Sequence, residues 1–112
     1  MPFQPDVEPF AGGLAMSLAG ELDAYHAPGL RQAFAELIDG TEGLVLVLDL
    51  EAVTFLDSTA LGTMVGALRR LRESGGELRV VLPRGHARRI FELTALDRAL
   101  DVRATRAEAL AG

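Results

Sequence analysis

The chain has no cysteine among its 112 residues, which excludes disulfides and thiol chemistry and suits it to a reducing compartment. It has no lysine either. All 11 basic residues are arginine, against 16 acidic ones, and a net charge of −5 leaves no basic surface for nonspecific binding to nucleic acid. Aromatics are scarce, five phenylalanines and one tyrosine, so the core has to be built from Leu, Val, Ala and Ile. No run approaches the roughly 18 apolar residues that a bilayer-spanning helix needs. The start, Met1-Pro2-Phe3-Gln4-Pro5-Asp6, lacks the basic and apolar regions of a signal peptide. The expectation is a soluble, cytoplasmic protein of one domain, residues 1–112, with room for a single core.

What is there is organised around Thr54-Phe55-Leu56-Asp57-Ser58-Thr59-Ala60-Leu61-Gly62, where an extended run stops and a helix begins. Upstream, residues 44–50 read Leu-Val-Leu-Val-Leu-Asp-Leu, the pattern of a strand buried on both faces of a mainly parallel sheet. Downstream, Leu61, Met64, Val65, Leu68 and Leu71 recur at helical spacing and mark a buried stripe. Gly62 and Gly66 fall nearly opposite that stripe, and each costs the helix roughly 0.5–1 kcal/mol relative to alanine. A bare face that admits the backbone of another protein would offset this cost. Ser58 itself has two readings, as a plain helix cap or as a functional group at the carboxyl end of a strand.

Residues 3–10 predict an edge strand limited by Pro5 and Pro9, and residues 14–19 a second strand, giving an antiparallel hairpin closed at Ala11-Gly12-Gly13. Gly20-Glu21-Leu22-Asp23 is expected to open a loop. A helix follows to about residue 38, with Pro28 in its first turn and Leu30, Phe34, Leu37 and Ile38 on its buried side. After the central strand and a helix to about residue 73, Ser74-Gly75-Gly76 is a stop signal. A strand at 77–82, a turn at Pro83-Arg84-Gly85 and a helix at about 86–96 come next, Ala87, Ile90, Phe91 and Leu93 being its candidates for burial. A short extended piece at 100–103 and a last helix, with Thr105 and Glu108 as a capping box, complete the chain. Strands that alternate with helices imply crossovers and hence a largely parallel sheet.

Few chemistries fit these residues. His26 and His86 are the only histidines, and the turn at Ser58 lacks the Gly-x-Ser-x-Gly elbow, which argues against a serine hydrolase. Two isolated histidines and scattered carboxylates show no metal-ligand spacing. Gly12-Gly13 and Gly75-Gly76 fit neither a P-loop nor a dinucleotide fingerprint, so no cofactor is expected. Arg69, Arg70 and Arg72 resemble a phosphate patch but read better as a solvated helix face. A hydroxyl that another enzyme phosphorylates survives this sorting. A phosphoryl group would add about −1.5 to −2 charges at a helix N-terminus, which the helix dipole tolerates and a close partner surface would not.

Three segments resemble the STAS-domain anti-sigma factor antagonist family: Leu18-Ala19-Gly20-Glu21-Leu22-Asp23; Leu48-Asp49-Leu50 leading to Phe55-Leu56-Asp57-Ser58-Thr59-Ala60-Leu61-Gly62; and Gly75-Gly76-Glu77-Leu78 before Arg88-Arg89-Ile90-Phe91-Glu92-Leu93. Order and spacing agree over about residues 14–100. The resemblance implies an α/β domain with a four- or five-stranded, mainly parallel sheet, an antiparallel N-terminal hairpin and about four helices. It implies that Ser58 is phosphorylated by an anti-sigma factor that is also a serine kinase, with Thr59 a second candidate acceptor. The unphosphorylated protein would bind that kinase and free a sigma factor, and a metal-dependent serine phosphatase acting on Ser58 would reset it. Asp23, Asp57, Ser58, Thr59, Gly62 and Gly66 are the expected partner-binding residues, with no catalytic residue and no metal. Ala60 stands where such proteins often carry glycine. A STAS subunit of a membrane lipid transport complex is the alternative, without membrane insertion by this chain, and a weak homodimer is compatible with either reading.

Overall fold

The computed structural model describes residues 5–82, 85–93, 98 and 100–111, apart from the side chains of 86 and 87. In order these are β1 (Asp6–Phe10), β2 (Gly13–Leu22), α1 (Ala27–Ile38), β3 (Val45–Leu56), α2 (Ser58–Glu73), β4 (Glu77–Val81), α3 (His86–Leu93), β5 (Asp101–Arg103) and α4 (Arg106–Ala111). Residues 3 and 4 of the first predicted strand, the Pro83-Arg84 turn and positions 94–96 lie outside the described residues.

The five strands form one sheet in the order β1-β2-β3-β4-β5. β1 and β2 are antiparallel and the remaining pairs parallel, as the alternation of strands and helices predicts. One face carries Met16, Leu46, Leu48, Leu78 and Val80, packed against Leu30 and Phe34 of α1, Met64 and Leu71 of α2 and Phe91 of α3. Fully burying each such side chain stabilises the fold by roughly 1.5–3 kcal/mol. The opposite face holds a smaller cluster, Ala15, Val47, Val81 and Ala109, and is covered by α4. The helices thus divide between the two faces.

Two strands are longer than their sequence pattern. β2 continues through Gly20-Glu21-Leu22 and β3 through residue 56, because the two extensions pair with each other down to Leu22 and Leu56. Gly20-Glu21-Leu22 is therefore strand and not the start of a loop. The register shifts between Ser17 and Ala19 and again between Gly20 and Glu21, and Gly20 has a φ of +78°, which glycine adopts without strain. Alternation is lost in this stretch because its side chains pass from a packed sheet to a rim, where Glu51, Ala52, Thr54 and Phe55 are exposed.

The predicted stripe of α2 is displaced towards α1. Ala60, Thr63 and Ala67 join Leu61, Met64, Leu68 and Leu71 in the interior, whereas Val65 is half-buried. Leu37 is likewise half-buried, and Leu93, expected to be covered, is 78% exposed. The stop at Ser74-Gly75-Gly76 is a Schellman motif: Gly75, at φ +76°, donates to the Arg72 carbonyl at 3.2 Å and Gly76 to the Leu71 carbonyl at 2.7 Å. At the C-terminus Thr105 Oγ1 accepts from the Glu108 amide at 3.2 Å, while Glu108 Oε2 accepts from Ala104 N at 3.3 Å. The capping box is present but reaches one residue further back than its standard form.

Candidate functional site

The parallel pairing of β2 and β3 brings the β2–α1 loop and the β3–α2 turn side by side at the carboxyl ends of the strands, where open α/β sheets present their functional groups. The Asp57 amide donates to the Leu22 carbonyl at 3.1 Å and closes the corner. Asp57 is extended, with φ −105° and ψ 177°, and its Oδ1 accepts from the Ala60 amide at 2.9 Å. That makes Asp57, and not Ser58, the N-cap of α2. Ser58 is the first helical residue, exposed, and among the described residues no hydrogen bond engages its hydroxyl.

Thr59 is also exposed. Thr63, one turn on, is buried and returns its hydroxyl to the Thr59 carbonyl at 3.0 Å. Ser58, Thr59, Gly62 and Gly66 line a groove of about 290 Å³ between α2 and α1, whose other walls are Arg31, Phe34, Thr63, Ala67 and Arg70. Neither glycine has a positive φ, and a Cβ added at Gly62 or Gly66 would meet nothing within 4 Å. Gly13 and Gly76 differ, since a Cβ there would run into the carbonyl oxygens of Val45 and Leu44. Those two glycines serve the fold, whereas nothing in the described chain would obstruct a side chain at the pair on α2.

Asp23 shapes the neighbouring loop and stands outside the groove. Its Oδ1 accepts from the amides of Tyr25 at 3.0 Å and His26 at 3.3 Å and lies 2.9 Å from His26 Nδ1. Partial burial pushes its carboxyl up, but the His26 side chain and the two amides outweigh that and hold it below the ordinary value. Asp57 Oδ2 accepts from Ala24 N at 3.1 Å, joining this loop to the start of α2.

Sequence reasoning passed over Tyr25, 81% exposed, and Phe55, 43% exposed. The available signal was position, each lying two residues from a candidate aspartate. It also passed over Arg31 and Arg70 as walls of the groove, because they come from different helices. Arg70 reaches Asp39 at 3.2 Å rather than joining Arg69 and Arg72 in a phosphate patch. His26 spends Nδ1 on Asp23. Among the described residues no group of His, Cys, Asp or Glu has the geometry of a metal site, and no helix is long and apolar enough to cross a membrane.

The sheet is mixed, with an antiparallel first pair, and the STAS domain family profile matches residues 3–109. The chain belongs to the STAS-domain family of anti-sigma factor antagonists. It is 40% identical over 86 residues to the anti-sigma-B factor antagonist of Listeria monocytogenes, covering 77% of this chain and 75% of that one. Among solved structures it is similar to an anti-sigma factor antagonist from Mycobacterium paratuberculosis, with 32% identity, a TM-score of 0.82 and coverage of 96% and 91%. Its fold is also that of the Bacillus cell fate determinant SpoIIAA, solved in the phosphorylated form, at 23% identity, a TM-score of 0.72 and coverage of 95% and 96%.

Proposed function

We propose that this chain is a phosphorylation-switched binding module. In the unphosphorylated state its Ser58 face binds an anti-sigma factor that is also a serine kinase, and the sigma factor is released. The kinase transfers a phosphoryl group to the Ser58 hydroxyl, and a metal-dependent serine phosphatase removes it. The observation that carries the reading is the division of labour at the corner: Asp57 caps the helix, and Ser58 is left exposed on a groove that two glycines help to line.

A phosphoserine at that position gains from the helix dipole and leaves the fold intact. The same charge, set beside Asp57 in a close interface, repels and desolvates. The output is binding, and this chain performs no catalysis of its own.

Incubation with the anti-sigma factor kinase of the source organism and ATP, followed by mass spectrometry, is expected to place one phosphate on Ser58. Phosphate on Thr59 alone would move the acceptor, and phosphate away from this corner would refute the reading. Ser58→Asp should abolish kinase binding while changing stability by less than about 0.5 kcal/mol, because an exposed, non-capping position is being altered. A capping serine would instead lose roughly 1 kcal/mol on replacement by alanine. Hydrolysis of a simple ester that disappears in Ser58→Ala would revive an enzymatic role.

A further inference from the structure

Asp57 uses both carboxylate oxygens, and they act on different segments. Oδ1 caps α2 through Ala60 N, while Oδ2 accepts from Ala24 N, on a loop 33 residues earlier in the chain. Capping alone does not require a carboxylate, since serine and asparagine cap about as well. A second acceptor on the same side chain does.

The loop tied down in this way is residues 23–26. It is wound around Asp23 Oδ1, and its Tyr25 ring stands 81% exposed, edge-on to His26 at 5.2 Å between centroids. The bonds to Asp23 give the loop its internal shape. The bond to Asp57 Oδ2 fixes that shape relative to α2, hence to Ser58, the next residue in the chain. Tyrosine is a favoured interface anchor, and an anchor held in place before docking loses less entropy on binding.

We infer that Asp57 is a positioning residue: its second carboxylate oxygen holds the Tyr25 loop against the start of α2, so that a visiting kinase meets Tyr25 and the Ser58 hydroxyl as one preorganised surface. The inference rests on the Ser58 reading for its functional part and on hydrogen bonds alone for its structural part.

The experiment compares Asp57→Asn, Asp57→Ser and Tyr25→Ala with the wild-type chain. Amide hydrogen exchange should quicken at Ala24 by at least about fivefold in both Asp57 variants and stay unchanged at Ala60, because each retains one capping oxygen. Steady-state phosphorylation by the anti-sigma factor kinase should show KM raised about two- to tenfold, the range that one ordering hydrogen bond carries, with kcat within about twofold. Tyr25→Ala should raise KM by a similar factor, and its combination with Asp57→Asn should fall well short of the product of the two. Unchanged exchange at Ala24 in Asp57→Ser overturns the clamp whatever the kinase does. Loss of kcat at constant KM, or full multiplicativity with Tyr25→Ala, overturns the positioning role. A wild-type chain that is never phosphorylated at Ser58 refutes the functional reading, and exchange at Ala24 and Ala60 then judges the clamp alone.

Discussion

Replacing Gly62 and Gly66 with alanine should make this protein more stable, which is the opposite of what most substitutions do. Both glycines lie inside α2, neither has a positive φ, and a Cβ at either would meet nothing within 4 Å. The substitution therefore recovers helix propensity, roughly 0.5–1 kcal/mol per site, and introduces no clash. The added methyl groups touch no shared neighbour, so the pair should yield about 1–2 kcal/mol. At about 4 °C per kcal/mol for a domain of this size, the double variant should melt about 4–8 °C higher. The assay is thermal unfolding followed by circular dichroism, with Gly13→Ala and Gly76→Ala as controls expected to melt lower, since each would drive a Cβ into a backbone carbonyl. Binding should move the other way: Gly62→Leu should keep the fold and weaken the kinase complex. A lower melting temperature for Gly62→Ala or Gly66→Ala would show that this face is packed within the molecule, and the docking argument would fail with it.

Arg106→Ala should cost about 1–3 kcal/mol in denaturant unfolding. It strips the Asp49 carboxylate, only 8% exposed, of a 3.0 Å partner that also holds Ser17 Oγ at 3.0 Å, although the guanidinium is itself 30% exposed and partly screened. Adding Asp49→Asn should recover part of that loss, whereas strict additivity would mean that the two residues are not coupled. Acid should destabilise the fold through Asp23 and Asp101, the second held low chiefly by its hydrogen bond from Arg103. Their folded-state values lie below the ordinary 3.8, so the stability they contribute is present above that pH and is lost as pH falls beneath it. Melting temperatures measured from neutral pH downward should therefore drop less steeply in Asp23→Asn and Asp101→Asn, and an unchanged acid limb would refute the assignment.

Much of this molecule was legible from local pattern. The Leu-rich run at 44–50, the stripe from Leu61 to Leu71 and the stop at Ser74-Gly75-Gly76 specify a strand, a helix and its end, because each depends on side-chain period or on a backbone angle that glycine alone accepts freely. The opposition of Gly62 and Gly66 to that stripe follows from helical geometry alone, and with it the expectation of an open face.

Tertiary structure decided what needed two distant segments at once. Whether Ser58 or Asp57 caps α2 turned on side-chain geometry at one corner, which composition does not encode. The extra lengths of β2 and β3 exist because each supplies the other's hydrogen bonds at the rim, where alternation has already faded. The second job of Asp57 is of the same kind: a carboxylate has two oxygens, and only the folded chain brings Ala24 to the one that the helix leaves unused.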